Sequence, residues 1–387
     1  MYYAKLGKIP RKRHTAFRKD DGSLYREQLV GLEGFSGVSS LLYKEKYPSA
    51  TVRLSQLGVD QSEHVTSSNV LDYWHLRTAQ MMPANSPIAA RFPILFNAQC
   101  QITVSSDPMD YLFRNASHHE LYFIDEGRGS LNTEYGVIDF IPGDYLVIPK
   151  CTTYQFKFEA HAKYLLVQSV TPYRFPSRYL NKMGQFLEHS PVCERDIRPP
   201  SRLNPVVNEN DTSIVLHRDG IFYEQVMNHH PFDTVGWDGY LYPYAISIHD
   251  FEPIVGSLHM PPPIHQMFVA DGFVVCNFVP RLFDFHKDAI PAPYYHSNVD
   301  SDEVIYYVEG DFMSRTGIEK GSITLHPSGL VHGPQPGKTE ASLGAIRTNE
   351  LAVMIDTYKS LYVNKNVESI KQSDYSESWL DKGSIND

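Results

Sequence analysis

The sequence is poor in features that mark several specialised protein classes. No apolar run is long enough to cross a bilayer, so a helical membrane anchor is not expected. Positive charge is in deficit. The chain has 35 Lys and Arg against 45 Asp and Glu, a formal charge of -10, which argues against nucleic acid or an anionic membrane as a partner. Cysteine is scarce: Cys100, Cys151, Cys193 and Cys276 are scattered and form no Cys-x-x-Cys pair. In a chain of this length they read as free thiols in a reducing compartment. The opening stretch, MYYAKLGKIPRKRHTAFRKDDGS, has no apolar core and does not read as a secretory signal. The expectation is a cytoplasmic protein.

What is present points to β structure. The 387 residues suffice for two domains or one double unit with an ample core, and 25 Tyr and 20 Phe suit β-rich layers. The basic run Arg11 to Lys19 reads as solvated surface or a subunit contact. SLYREQLVGLEGFSGVSSLLY reads as a short helix followed by extended chain. Between 51 and 115, short alternating runs such as ATVRLSQLGV and PILFNAQCQITVSS read as strands. MNHHPFDTVGWDGYLYPYAISIHDF is dense in aromatics, Gly and Pro. It reads as an irregular loop, a candidate wall for an active site and equally a candidate for core or interface. FVVCNFV reads as a buried strand and ELAVMIDTYKSLYV as a last strand. The polar tail VESIKQSDYSESWLDKGSIND is expected to be loosely held or used in subunit contacts.

The stretch from His296 to His332 carries the strongest pattern. His296 is followed by Asn298, then Glu303 after four residues and Gly310 after six more. Gly321 is followed by five residues and Pro327, then Gly329 and, after two more, His332. This frame resembles the two-part motif of cupins, small β-barrels in which strand-borne His and Glu hold a divalent metal. The second His of the usual pair is Asn298 here, which leaves His296, Glu303 and His332. Two imidazoles and one carboxylate on one face of a metal are the mark of non-haem Fe(II) oxygenases. Zn or Mn could take the same ligands, so the triad alone does not select iron. VIYYVEG after Glu303 reads as a strand, and SITLHPSG as a strand closing on a turn. Upstream, PPP pins a loop between His259 and His265, both candidates for substrate contact or proton transfer.

The frame occurs twice. Glu120, Gly127, Gly143 and Pro149 repeat the spacing of Glu303, Gly310, Gly321 and Pro327, with Tyr154 in the place of His332 and Phe113 in the place of His296. The chain therefore reads as an internal duplication, mainly β, with two jelly-roll barrels and few short helices. Residues 1–250 would hold a degenerate barrel around 113–154, and 251–387 the barrel with the metal site. His118 and His119 read as a surface pair beside a strand, with metal binding by some other geometry as the alternative.

Beyond the cupin frame, the sequence resembles the homogentisate 1,2-dioxygenase family. LYREQLVG with SLLY, PFDTVGWDGYLYPY, PYYH and the VHGP around His332 carry the likeness across most of the chain. The resemblance implies an Fe(II) enzyme that opens homogentisate with O2 to maleylacetoacetate in tyrosine and phenylalanine breakdown. It implies His296, Glu303 and His332 as iron ligands. It implies His259, with His265 as the alternative, as the histidine acting on substrate. Tyr294, His326 and Phe312 would lie close to the substrate, with His326 also suited to orienting a ligand. Trimers assembled into hexamers are implied as well. Three departures bear on substrate: Ser297 stands where better-known members have Arg, one extra residue separates His296 from Glu303, and Asp311-Phe312 stands where they have His-Tyr. Gentisate or hydroquinone is then an alternative substrate. A metal-dependent isomerase or a ligand-binding cupin is the alternative class.

Overall fold

The computed structural model describes residues 2–59, 71–81, 91–106, 109 and 111–380. It is a bicupin, mainly β, and its one α-helix among the described residues is the short Lys338–Ser342. The earlier barrel is built from two seven-stranded sheets. The later one centres on a six-stranded sheet.

The duplication seen in the spacing is present in the strand register. In the earlier barrel the strand His119–Glu126 places Glu120 opposite Ile148 on one side and Gln168 on the other. In the later barrel the strand Asp302–Glu309 places Glu303 opposite His326 and Asp356. Phe113 faces Tyr154 across a strand pair, as His296 faces His332 across a bridge. Gly127 and Gly310 both take a positive φ, and a Cβ at either would collide with a carbonyl oxygen, of His161 or of Asn349. The repeated glycine is thus required by the backbone at both places.

The barrels join back to back, which explains why their central strands read as near-continuous apolar runs. Leu121 and Phe123 turn towards the later barrel, while Tyr122 and Ile124 fill their own. Val304, Tyr306 and Val308 meet them in one common core. Strand alternation then leaves Glu303, Ile305 and Tyr307 facing a cavity inside the later barrel. Polar pins cross the joint: the Tyr306 hydroxyl donates to Asp125 and the Tyr145 hydroxyl to Asn277, each at 2.6 Å.

Each barrel also borrows a strand. Trp74–Leu76 extends the later sheet by pairing with Ile323–His326. Tyr362–Val363, from near the other end of the chain, extends an earlier sheet by pairing with Leu95–Phe96.

Three expectations are corrected. The expected helix near residue 26 is the strand Arg26–Gly31, because its apolar side chains pair across Ser39–Lys44 rather than follow a helical period. The expected aromatic loop contains the strands Thr234–Gly239 and Tyr244–Ser247. Its Trp237 is fully buried, with the indole N–H donating to Tyr135 O at 2.6 Å, so the stretch is core and does not wall the cavity. His119 is buried rather than on the surface. The hairpin Thr212–Arg218 to Ile221–Met227 turns at Asp219-Gly220, both with positive φ, the geometry that favours this dipeptide. FVVCNFV falls on the buried strand Phe273–Phe278, and the four cysteines are free.

Candidate metal centre and cavity

His296, Glu303 and His332 come together with one ligand atom each, all within 4.8 Å of one another. Glu303 is delivered by its strand. His296 and His332 are tied to each other by reciprocal backbone bonds, His296 N–H to His332 O at 2.8 Å and His332 N–H to His296 O at 2.9 Å. The Pro327–Gly329 turn, with Gly329 at φ 87, brings His332 back over the strand that holds Glu303.

The tautomers follow from backbone partners. His296 Nδ1 lies 3.0 Å from Tyr294 O and His332 Nδ1 lies 3.3 Å from Leu330 O. A carbonyl can only accept, so both Nδ1 atoms carry the proton and both Nε2 lone pairs are left for the centre. These lie 3.8 and 3.5 Å from the Glu303 carboxylate. His332 Nε2 is buried and has no hydrogen-bond partner among the described residues. An orphaned imidazole nitrogen beside a buried carboxylate is what a divalent cation would satisfy. The donor set therefore fits a metal.

His326 supports this group from behind. It is fully buried and stacks on His332 at 4.5 Å. Its Nδ1–H donates to Glu303 at 2.7 Å, and its Nε2 accepts from the Tyr375 hydroxyl at 2.9 Å. Burial pushes His326 down to about 4, so it is neutral and both nitrogens are used. Burial works against the Glu303 charge, but the surrounding imidazoles of His296, His326 and His332 outweigh it and hold the carboxyl well below its usual range. His326 does not line the cavity, in contrast to the substrate contact that the resemblance implies for it.

The cavity in front of the triad measures about 1090 Å³. Its walls are mostly apolar and include Met260, Ile305, Phe312 and Met354. His259, His265 and Tyr294 all line it. His259 and Tyr294 stand at its open side, ring centroids 5.4 Å apart, and His259 Nδ1 pairs with Asp284 at 3.0 Å. His265 is buried, its Nδ1 has no partner among the described residues, and burial lowers its pKa to about 3. Phe312 packs edge-on against Tyr307 at 4.5 Å.

Three residues went unread in the sequence. Asp356 lies across from Glu303 and lines the cavity. Burial and the nearby Glu303 charge push it up to about 7, so a cation at Glu303 would favour its ionised form. The lone acid in the apolar run LAVMIDT was its signal. Tyr375 and Trp379 come from the tail expected to be loose. Both pack on the His326 side, and Trp379 donates to Gly333 O at 3.0 Å. Two aromatics spaced in a polar tail were the only hint. Residues 381–387 of that tail lie outside the described residues.

Residues 95–248 match the N-terminal model of homogentisate 1,2-dioxygenase and 245–383 the C-terminal one. A Saccharolobus solfataricus protein, named provisionally as a dioxygenase, is 40% identical over 98% of this chain and 99% of its own length. The homogentisate 1,2-dioxygenase of Bradyrhizobium diazoefficiens is 26% identical over 71% of this chain, and the match takes in 64% of that relative. Among solved structures, a cupin 2 conserved barrel protein from Leptotrichia buccalis covers 80% of this chain and 100% of its own, at 9% identity and a TM-score of 0.31. The two family models together span most of the sequence, and the chain belongs to the homogentisate 1,2-dioxygenase family of enzymes.

Proposed function

We propose that this chain is a ring-cleaving dioxygenase that holds Fe(II) with His296, Glu303 and His332 and converts homogentisate and O2 to maleylacetoacetate. One observation carries the reading: a two-His, one-Glu set stands at a large, mostly apolar cavity that its His296 and Glu303 line directly. When bound, the metal supplies a Lewis-acidic centre that gathers ring and dioxygen in one place.

The chain's own residues then do three things. The apolar lining accepts an aromatic ring and displaces water. The Nδ1 bonds to Tyr294 O and Leu330 O fix the orientation of both imidazoles and aim Nε2 at the centre. His259 or His265 holds or takes the proton of the ring hydroxyl. His259, with Nδ1 turned to Asp284, offers Nε2 as its basic nitrogen. His265 is kept neutral by burial. Exchanging the acting histidine for Gln should spare metal content and lower turnover about 100-fold. Undiminished turnover in both single variants would rule out the proton role.

A second substrate is favoured by one observation. Phe312 presents an apolar ring to the cavity, where a polar group could have met a substrate substituent, so gentisate or hydroquinone remains the alternative. The test is oxygen uptake by protein reloaded anaerobically with Fe(II) and given homogentisate, gentisate and hydroquinone in turn. Stoichiometric uptake with homogentisate alone supports the reading. Uptake only with another diphenol keeps the chemistry and changes the substrate. Metal retained with no uptake on any diphenol overturns it. Assembly into trimers or hexamers belongs to the same reading and is checked by sedimentation.

A further inference from the structure

The two barrels differ most informatively one strand away from the carboxylate. In the earlier barrel Gln168 stands opposite Glu120, and its polar atoms are used. Asn115 donates to Gln168 Oε1 at 2.8 Å and to Glu120 at 3.1 Å, and Gln168 donates to Gln101 at 3.1 Å. The network is closed and apolar side chains fill the space in front of it.

In the later barrel the same two positions are Asn298 and Asp356. Asn298 stands five residues before Glu303, as Asn115 stands five before Glu120. Asp356 stands opposite Glu303. Here the network is open, since both residues line the cavity. Asp356 Oδ1 is buried and has no hydrogen-bond partner among the described residues. Asp356 is also outside the 4.8 Å ligand cluster, so its position suits a neighbour of the centre rather than a member of it. A buried carboxylate oxygen without a donor is costly unless something in the cavity supplies one.

We propose that Asp356 is a substrate-contacting residue, and that its free oxygen accepts a hydrogen bond from a ring hydroxyl and so selects dihydroxylated rings over monohydroxylated ones. The inference rests on the diphenol reading above and names the group that reads the second hydroxyl. A carboxylate that has lost its water pairs strongly with an O–H donor and leaves a ring without that donor at a disadvantage.

The test is anaerobic equilibrium binding to the Fe(II)-loaded protein, with homogentisate against 2-hydroxyphenylacetate, which lacks the 5-hydroxyl and keeps the rest of the ring unchanged. Metal content is measured in parallel. The wild type should prefer homogentisate by about 10-fold or more. Asp356→Leu should bring the two affinities within about threefold of each other with metal content unchanged. Asp356→Asn, which keeps shape and one acceptor, should fold as the wild type and retain part of the preference. Preference intact in Asp356→Leu overturns the inference while leaving the proposed function standing. Metal lost from Asp356→Asn also overturns it, by making the residue part of the metal site. A wild type that binds neither ring overturns the diphenol reading and this inference together.

Discussion

The two barrels set the same carboxylate in the same register and give it different partners. Glu303 faces two imidazoles arranged for a metal. Glu120 faces Arg91, whose guanidinium is bonded to the carboxylate, accepted by the Tyr122 hydroxyl at 2.9 Å and laid over the Phe113 ring at 3.7 Å. Tyr154, in the place of His332, donates to Glu120 at 2.6 Å. A buried carboxylate at this point of the barrel needs a positive partner. The later barrel leaves room for an exchangeable one, and the earlier barrel carries its own. The difference between a reactive site and a structural one therefore lies in where the positive charge comes from, not in the strands.

This comparison can be broken at the carboxylates. Glu303→Ala should abolish metal binding and turnover, with metal content below about a tenth of wild type, while the chain stays folded. Glu120→Ala should do the reverse. Metal per folded chain should hold, while stability falls by about 3–5 kcal/mol because a buried guanidinium loses its partner. Metal analysis and chemical denaturation on both variants decide it. Equal metal loss in the two would end the distinction.

A double change sharpens it. Arg91→Met alone should cost about 3 kcal/mol, and adding Glu120→Gln should recover much of that loss, since two neutral residues need no counter-charge. Strict additivity of the two losses in urea unfolding would contradict a direct pair.

Acid offers a milder probe of the earlier barrel. Burial pushes His119 down to about 3 and His217 down to about 4. His119 Nδ1 also accepts the Lys150 backbone N–H at 3.1 Å, which requires the unprotonated nitrogen. Unfolded, both titrate near 6.5. Below pH 6.5 the unfolded chain takes up protons that the folded chain refuses, so stability falls as pH drops towards the folded values. The loss by pH 5 should be about 2 kcal/mol for each histidine. His217→Phe should flatten the acid limb of a stability–pH curve by about that amount.

The smallest expected effect lies behind the metal. Tyr375→Phe leaves His326 Nε2 without its donor, and metal affinity should drop about 10-fold with the fold intact. Competition with a chelator measures it. Unchanged affinity would mean that the tail's contact with His326 does not reach the ligands.

The legible part of this protein was what sits inside a fixed frame. Glu303, His296 and His332 could be read because strand period and a Pro-Gly turn fix their spacing. The same rule exposed the second copy through Glu120 and Gly127. Arg91 could not be read, because it reaches Glu120 from outside the frame. The aromatic stretch around Trp237 was misread because Gly and Pro punctuate it as they would a loop, yet the backbone there pairs on both sides. Tyr375 was missed because a polar tail gives no period, and its role depends on one hydroxyl meeting one ring nitrogen. Asp356 had a signal, an acid within an apolar strand, but only the register shows what it faces.

The borrowed strands have a consequence for how such a chain can be inherited. Trp74–Leu76 closes the sheet that carries Glu303, and Tyr362–Val363 closes a sheet of the other barrel. A genetic crossover near residue 250 would give each sheet an edge strand from a different parent. The two halves can therefore arise by duplication yet resist being shuffled apart, because each half is finished by residues encoded at the far end of the other.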